Sequence, residues 1–199
     1  MIAIIDYGMG NLRSVQKALE KIGATAQITQ SPNEIQNANK VILPGVGAMQ
    51  PAMEKLKSLG LIPIIKSVIE AGKPFLGICL GFQLLFDSST EGGQTEGLGI
   101  LKGKVERFSK LKIPQIGWNQ LHIKNGSSPI LKNINESASV YFCHSYFVKP
   151  DDPNIISATT DYALEFTSAA YKDNVVGVQF HPEKSQVIGL QILKNFYEW

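Results

Sequence analysis

Short apolar runs alternate with amphipathic stretches along the first half of the chain. Residues 2–6, apolar up to Asp6, predict a buried strand. Between residues 11 and 22, apolar side chains recur three and four positions apart, which predicts a helix with one buried face. The same alternation predicts further strands over 25–29 and 40–43, and further helices from Ser31 and over 48–59 and 62–71. This order favours a parallel α/β sheet with crossover helices on its faces.

Beyond residue 95 the pattern changes to short strand-like runs separated by turn residues. These runs cover residues 97–108, 116–123, 139–148, 155–160, 166–171 and 175–180. With little helical pattern between them, they predict a mostly antiparallel extension of the same sheet. A helical pattern returns at the end of the chain, where the predicted apolar face comprises Val187, Leu190, Ile192, Leu193 and Phe196. Since no repeat or long linker interrupts the chain, we expect a single domain over residues 1–199.

Composition and charge narrow the class of protein. Hydrophobic residues make up 44% of the 199 positions, which is enough for a sizeable core. The 19 basic and 17 acidic residues leave no charge excess, so we expect neither nucleic acid nor a membrane as partner. The apolar N-terminus reaches Asp6 before a signal sequence or membrane span is complete, and we expect a cytoplasmic protein. Gly8 and Gly10 begin a dinucleotide fingerprint, but Arg13 replaces its third glycine, so we expect no nucleotide or flavin cofactor.

The most informative stretch is residues 73–86, where an apolar strand pattern passes directly into a helix pattern. Cys79 lies at the bend, and Gly77 and Gly81 on either side allow a tight turn and leave room around the sulfur. At a helix N-terminus, peptide dipoles and free N–H groups favour a thiolate. From this stretch alone, a buried packing residue and a nucleophile are equally good interpretations. Cys143 lies far along the chain, so we expect neither a disulfide framework nor a metal site.

Histidine commonly activates a cysteine nucleophile, and the chain has three histidines. His122 alternates with apolar neighbours and is expected to face solvent from an outer strand. His144 directly follows Cys143, and adjacent residues of a strand face opposite sides, so these two cannot form a nucleophile–base pair. Cys143 is expected to pack in the core, whereas His144 remains able to line a site.

The third histidine, His181, follows the apolar run at 175–180 and precedes Glu183 by two residues. Pro182 favours an extended conformation for His181, and in an extended chain residues 181 and 183 point the same way. A carboxylate that accepts Nδ1–H fixes the tautomer, leaves Nε2 as the base and stabilises the imidazolium. His181 and Cys79 both follow predicted strands, at the sheet edge where open α/β folds build their sites. The alternative is an exposed turn with a solvated His and Glu.

A cysteine with a His–Glu pair predicts acyl transfer: attack on a carbonyl, a thioester, then hydrolysis. The tetrahedral oxyanion in such a reaction needs two N–H donors. One is expected from Leu80, the residue after the nucleophile. The second is expected from Val46 or Gly47, in a glycine-rich turn after the strand at 40–43. The alternative for that turn is a plain strand–helix connection.

Three motifs resemble those of the class I (triad) glutamine amidotransferases. They are Gly77-Ile78-Cys79-Leu80-Gly81-Phe82-Gln83, Phe180-His181-Pro182-Glu183 and Pro44-Gly45-Val46-Gly47. The resemblance runs over the whole chain and implies a flavodoxin-like fold, an open, mostly parallel sheet with helices on both faces. Three more motifs are similar to the glutaminase subunits of imidazole glycerol phosphate synthases: Asp6-Tyr7-Gly8-Met9-Gly10-Asn11, Gly117-Trp118-Asn119 and Tyr141-Phe142-Cys143-His144-Ser145-Tyr146.

The resemblance implies a role for each matching residue. Cys79 is the implied nucleophile, His181 the general base and then acid, and Glu183 the carboxylate that orients it. The implied oxyanion hole consists of the Val46 and Leu80 amides. The residues implied to contact the substrate, L-glutamine, are Gln83, Glu91, Ser145 and Tyr146. An implied partner, a (β/α)8-barrel cyclase that receives ammonia for histidine synthesis, would be met by Asn11, Trp118 and Lys184.

The chain departs from the family pattern at a few positions. Phe82 stands where Met is usual, and Gln115-Ile116 stands where His-Met is usual. We expect these positions near the partner, so they leave the ammonia acceptor open. A synthase that amidates a sugar for surface glycans is the main alternative. A cysteine peptidase or deglycase of similar fold and a non-catalytic scaffold are further alternatives.

Overall fold

The computed structural model describes residues 1–124 and 128–199. Its helices are α1 (Leu12–Lys21), α2 (Pro32–Asn37), α3 (Met49–Ser58), α4 (Leu61–Glu70), α5 (Leu80–Leu84) and α6 (Gln186–Glu198). Its first strands are β1 (Ile2–Ile5), β2 (Ala26–Thr29), β3 (Lys40–Gly45), β4 (Phe75–Cys79), β5 (Ser88–Ser89), β6 (Thr95–Glu96) and β7 (Gly103–Arg107). The later strands are β8 (Gln115–Gln120), β9 (His122–Ile123), β10 (Ser139–His144), β11 (Tyr146–Pro150), β12 (Ile156–Tyr162), β13 (Leu164–Lys172) and β14 (Val175–Val178).

The main sheet joins a parallel half to an antiparallel half. Strands β2, β1, β3, β4 and β14 are adjacent in that order and parallel. The sheet continues through β13, β11 and β7, each antiparallel to its neighbour. The predicted α/β fold with an antiparallel extension is therefore confirmed. Among the described residues, no helix is long and apolar enough to cross a membrane.

Both faces of the parallel half are covered by helices. Ile2 and Ile4 pack in one cluster with residues of α1 and α6, while Ala3 and Ile5 pack in a second cluster with residues of α2, α3 and α4. Successive strand residues point to opposite faces, which explains why the strands read as continuous apolar runs. The helix predictions of the first half are confirmed to within two residues at each end, and Asn11 caps α1 by accepting from the Ser14 N–H.

Several predictions for the second half are wrong. The predicted strand at 97–108 forms only over β7, and the predicted strand at 116–123 is two strands, β8 and β9. The predicted strand at 139–148 is two strands, because Ser145 separates β10 from β11. The two belong to different sheets: β11 joins the main sheet, whereas β10 pairs only with β8 in a separate two-stranded sheet. In α6, the buried residues include Ile192, Leu193 and Phe196 as predicted, but Val187 is 77% exposed.

Helix α5 packs so closely on the sheet that the glycines at the contact have no room for side chains. A Cβ at Gly81 would lie 1.7 Å from the carbonyl oxygen of Leu43, and one at Gly177 would lie 1.8 Å from the ring of Phe82. Helix α5 can therefore rest directly on β3 and β14 only because these positions lack side chains. Phe82 itself is fully buried, and its nearness to a docked partner stays a prediction.

Candidate active site

Cys79 ends β4 and immediately precedes α5. Its backbone has φ 54° and ψ −107°, a conformation that side-chain-bearing residues rarely adopt. The sharp bend is thus made by Cys79 itself, not by the flanking glycines, whose role is to admit the close packing of α5. Strained backbone at a strand–helix turn is typical of a nucleophile that the fold holds in one orientation.

His181 and Glu183 lie beside Cys79 because β14 is the parallel neighbour of β4. His181 Nδ1 is 2.8 Å from Glu183 Oε1, and both side chains are at most 3% exposed. His181 is extended, as Pro182 predicts, but Pro182–Lys184 form a 3-10 turn, and this turn directs the Glu183 carboxylate to the ring. The His181 N–H also donates to Tyr141 O at 2.9 Å, which fixes the backbone from the other side.

The environment of His181 favours the imidazolium. Burial alone would lower the pKa of His181, but hydrogen bonds to Cys79 and Glu183 and their negative charges raise it to about 10. The buried ring is therefore charged at neutral pH because the negative charges of Cys79 and Glu183 offset the cost of burial. This arrangement favours a Cys79 thiolate paired with a His181 imidazolium.

These residues line a cavity of about 320 Å³. Its wall is made by Val46, Gly47, Cys79, Leu80, Gln83, Glu91, Pro114, Cys143, His144, Ser145, Tyr146, His181 and Lys184. The structure thus brings together most of the residues singled out in the sequence. A larger cavity of about 550 Å³ lies between α3 and residues 92–97, but no cysteine or histidine lines it. The residues that line the smaller cavity, and not its volume, therefore identify it as the candidate active site.

Val46 and Leu80 flank the sulfur from two adjacent strands. Gly45 and Cys79 are paired across β3 and β4, so the residues that follow them lie side by side in the cavity wall. Tyr7 is packed behind this turn: a Cβ at Gly45 would lie 2.2 Å from its hydroxyl oxygen. Burial, and secondarily the Cys79 charge, raise the pKa of Tyr7, so its hydroxyl stays neutral.

The four residues implied to contact glutamine lie on the far wall of the cavity. Gln83 Nε2 donates to Tyr146 O at 2.9 Å, which holds α5 against the start of β11. Glu91 accepts from the Met49 N–H at 2.8 Å and so caps α3. Ser145 is the residue at which the chain passes from the small sheet to the main sheet. The Gln83 and Glu91 side chains are thus each fixed by a hydrogen bond to the backbone of a different element.

Sequence reasoning missed Gln179. Its side chain is completely buried, its Oε1 accepts from Gln83 Nε2 at 2.9 Å, and its Nε2 is 3.7 Å from Cys79 Sγ. A polar residue inside the apolar run 175–180, two positions before His181, was the signal available in the sequence, since a buried amide needs partners.

The two residues Cys143 and His144 face opposite sides of β10, as predicted, but the expected core position of Cys143 is wrong. Cys143 is exposed, while His144 is buried. His144 Nδ1 is 2.7 Å from Tyr146 O, and Nε2 is 2.9 Å from the buried Gln115 carboxamide. Chiefly through burial, the pKa of His144 falls to about 4, so this ring is neutral. Because Gln115 is buried, it cannot meet a partner directly.

Lys184 lines the cavity, and Ile116 of β8 is paired with Cys143, which also lines it. Lys184 Nζ lies 5.6 Å from the centroid of the Tyr141 ring, and the Tyr141 ring is 6.2 Å from that of Trp118. Trp118 and Ile116 are 49% and 62% exposed. Asn11 is also exposed and follows Gly10, whose Cβ position is 3.5 Å from Gly45 Cα. Among the described residues, no group of three or more His, Cys, Asp or Glu is placed to hold a metal ion.

Comparison with known proteins gives consistent results. A model of the family described as "Glutamine amidotransferase class-I" matches residues 3–199. The imidazole glycerol phosphate synthase subunit HisH of Caldanaerobacter subterraneus subsp. tengcongensis is 54% identical, covering 100% of this chain and 98% of its own. The subunit of the same name from Geobacter sulfurreducens is 51% identical and covers 99% and 98%. The structure of PurLQS from Thermotoga maritima matches with a TM-score of 0.79 at 19% identity over 99% of this chain and 97% of that one, a likeness of fold.

Proposed function

The chain belongs to the class I glutamine amidotransferase family, and we propose that it is the glutaminase subunit of an imidazole glycerol phosphate synthase. In this role it hydrolyses L-glutamine to L-glutamate and ammonia, and the ammonia is used by a synthase partner in histidine biosynthesis. The observation that carries the proposal is the His181–Glu183 hydrogen bond beside Cys79 in the wall of one cavity.

In the first half of the reaction, the Cys79 thiolate attacks the side-chain carboxamide carbon of glutamine. A carbon–sulfur bond forms, and the carbonyl oxygen becomes an oxyanion that accepts from the Val46 and Leu80 N–H groups. The His181 imidazolium then donates its Nε2 proton to the carboxamide nitrogen. The carbon–nitrogen bond breaks, ammonia leaves, and a γ-glutamyl thioester remains on Cys79.

In the second half, His181 acts as the base. Neutral Nε2 takes a proton from water, whose oxygen attacks the thioester carbon, and the same oxyanion site is used again. The carbon–sulfur bond breaks, glutamate leaves, and the Cys79 thiolate and His181 imidazolium are restored. Glu183 keeps Nδ1 protonated throughout, so that Nε2 alone exchanges protons.

The remaining cavity residues suit recognition of glutamine. The Glu91 carboxylate carries the charge that would attract the substrate α-ammonium group, and Gln83, Ser145 and Tyr146 provide further polar contacts. We assign the partner to the exposed surface at the cavity mouth, the rim cluster, defined as Ile116, Trp118, Tyr141 and Lys184. Asn11 lies at the base of α1 on the same side as the oxyanion turn. A (β/α)8-barrel cyclase that covers this mouth would receive ammonia directly.

The test is release of glutamate from glutamine, measured with the cyclase partner present. Cys79→Ala should abolish release, since Cys79 is the thiol hydrogen-bonded to the His181–Glu183 pair. The control is Cys143→Ser, which changes the second thiol of the cavity and should retain release. Glutamate production by Cys79→Ala at the parent rate would refute the proposal.

The same preparation separates the alternatives. Cleavage of peptides or conversion of glyoxals in preference to glutamine would indicate a peptidase or a deglycase. Failure of a glutamine-mimicking electrophile to label Cys79 would indicate a scaffold without chemistry. Stimulation by a sugar-amidating synthase but not by the cyclase would replace histidine biosynthesis with glycan amidation.

A further inference from the structure

The Gln179 carboxamide is enclosed between the nucleophile and a second buried amide. It follows β14, and its own backbone N–H donates to Ser168 O at 2.9 Å, so its position is fixed by the sheet. The side chain extends to Gln83 on one side and to Cys79 Sγ on the other. A buried amide of this kind serves either to hold the strands and α5 together or to act on the sulfur.

The direction of each hydrogen bond in this chain is set by the carbonyl oxygen of Tyr146. A backbone carbonyl only accepts, so the Gln83 atom 2.9 Å away is its nitrogen. That nitrogen has a second hydrogen, which points to Gln179 at 2.9 Å, and the Gln179 atom receiving it is therefore an oxygen. The other end of the Gln179 carboxamide, facing Cys79 Sγ at 3.7 Å, is consequently an N–H donor.

Two groups lie near Cys79 Sγ, and each favours a different protonation state of the sulfur. The carbonyl oxygen of Cys143, 3.9 Å from Cys79 Sγ, can accept from a thiol and offers nothing to a thiolate. The Gln179 donor favours the thiolate, because a hydrogen bond to a charged group stabilises the charged form. Burial strengthens this effect, because water does not compete with the amide.

We propose that Gln179 is a further catalytic residue, whose Nε2–H donates to Cys79 Sγ and stabilises the thiolate beside the His181 imidazolium. Its role in turnover rests on the proposed glutaminase function. Its effect on the sulfur is a property of the resting site and is measurable without glutamine. The chain Tyr146–Gln83–Gln179 keeps the donor pointing at the sulfur, so Gln83 has a positioning role as well as a place in the substrate cavity.

The test compares Gln179→Glu with the parent in the rate of Cys79 alkylation by iodoacetamide over a range of pH. Glutamate keeps the length of the side chain and an oxygen to accept from Gln83, but its ionised form presents no N–H to the sulfur. We expect the pH midpoint of Cys79 alkylation to rise by about one unit, which is about a tenfold loss of rate at pH values below the parent midpoint. The added carboxylate also repels the thiolate, so Gln179→Met, which removes the donor without adding a charge, is measured in the same way and should raise the midpoint too. An unchanged midpoint in Gln179→Met would overturn the proposal.

Two controls belong to the same experiment. Cys143 is exposed and serves as an internal reference, because mass spectrometry of the two cysteine-containing peptides reports both thiols at once. Its alkylation rate should be the same in parent and Gln179→Glu. Ser168→Ala alters a buried side chain on the strand beside Gln179 without removing the donor, and should leave the Cys79 profile unchanged.

A measurement on the parent chain covers the case in which Gln179→Glu does not fold. The side-chain amide protons of Gln179, followed by NMR through a pH titration, should shift with the same midpoint as Cys79 alkylation. An invariant amide signal would overturn the proposal. The two proposals fail separately. If the protein does not hydrolyse glutamine but Gln179 still shifts the Cys79 midpoint, only the glutaminase function is rejected. If the protein hydrolyses glutamine but Gln179 has no effect on the midpoint, only the role of Gln179 is rejected.

Discussion

At the scale of single residues, the site holds two buried histidines in opposite protonation states. Burial disfavours the charged form of both rings. His181 has two anionic neighbours, Cys79 and Glu183, and its pKa rises to about 10. His144 has a backbone carbonyl and the Gln115 carboxamide instead, and its pKa falls to about 4. Of the two rings, only His181 therefore carries a proton that it can transfer at neutral pH.

His144 should make the stability of the protein depend on pH in the acidic range. Unfolding exposes the ring, which then binds a proton below about pH 6.5, whereas the folded ring stays neutral down to about pH 4. The unfolded state thus binds more protons between these values, so stability falls as pH falls from 6.5 to 4, by roughly 3 kcal/mol from this group. His144→Asn should show a smaller loss, measured by urea unfolding at several pH values.

His122→Asn is the matched control for that measurement. His122 is half-exposed and hydrogen-bonded to Asp161 on the outer face of the sheet, so its removal leaves the buried ring in place. The His122→Asn protein should therefore lose stability with acid as steeply as the parent does. An identical acid dependence in His144→Asn and the parent would contradict the assignment to His144.

Individual site residues differ in how far the sequence could predict them. Cys79, His181 and Glu183 follow local rules, because a strand end and a proline fix the backbone around them. The exposure of Cys143 could not be predicted, since it depends on β10 pairing with β8 away from the main sheet. Gln179 was hidden for a similar reason: its partners lie 96 and 100 positions away along the chain.

At the scale of elements, α5 is held against the sheet by complementary small and large residues. The Phe82 ring occupies the space above Gly177 on β14, and Gly81 rests on the backbone of β3. The nucleophile turn is thereby clamped between two strands.

A double-mutant cycle tests this contact. Gly177→Ala places a methyl group against the buried Phe82 ring and should destabilise the protein by roughly 1–3 kcal/mol. In a Phe82→Leu background the ring is absent, so the same substitution should cost at least about 1 kcal/mol less. Urea unfolding of the four proteins gives the coupling energy.

Gly81→Ala is the contrasting substitution. Its methyl group would meet the Leu43 carbonyl oxygen, a backbone atom that Phe82→Leu does not move. Gly81→Ala should therefore destabilise the protein equally in the parent and in the Phe82→Leu background. Equal costs of Gly177→Ala in both backgrounds would show that the ring is not the obstacle.

The ends of helices and strands could be predicted where a local sequence signal marks them. They could not be predicted where the pairing of distant strands sets the boundary. Asn11 and Ser31 cap α1 and α2 as side-chain acceptors, which a sequence displays directly. The break at Ser145 has no comparable local signal, since the residues on both sides favour strands. Val187 shows the same limit in a helix: its spacing fits the apolar face, but its exposure depends on where α6 leaves the core.

At the scale of the whole molecule, the rim cluster extends from Lys184, in the wall of the cavity, to the exposed residues Ile116 and Trp118. Trp118 and Ile116 come from β8, Tyr141 from β10 and Lys184 from the turn after β14, so the cluster joins the small sheet to the catalytic turn. Aromatic side chains such as those of Trp118 and Tyr141 are enriched at protein interfaces. The open, mostly parallel sheet of the first half could be predicted from the alternation of strand and helix patterns. The rim cluster could not, because it depends on the pairing of β8 with β10.

Trp118→Ala should weaken binding of the cyclase partner at least about tenfold, because a large aromatic side chain near the centre of an interface commonly contributes that much. Tyr197→Ala is the matched control: Tyr197 is 41% exposed, close to the 49% of Trp118, and lies near the far end of α6. It should bind the partner with the parent affinity. Isothermal titration calorimetry measures both, and equal affinities for the two variants would remove Trp118 from the interface.

The strained backbone of Cys79 has a consequence for how such a chain changes over generations. A residue with a side chain at φ 54° lowers folding stability relative to glycine, which adopts this conformation freely. Selection for a stable fold alone would therefore favour glycine at position 79. A descendant freed from its enzymatic task would gain stability by discarding the cysteine early, so in such a descendant glycine is the expected replacement at position 79.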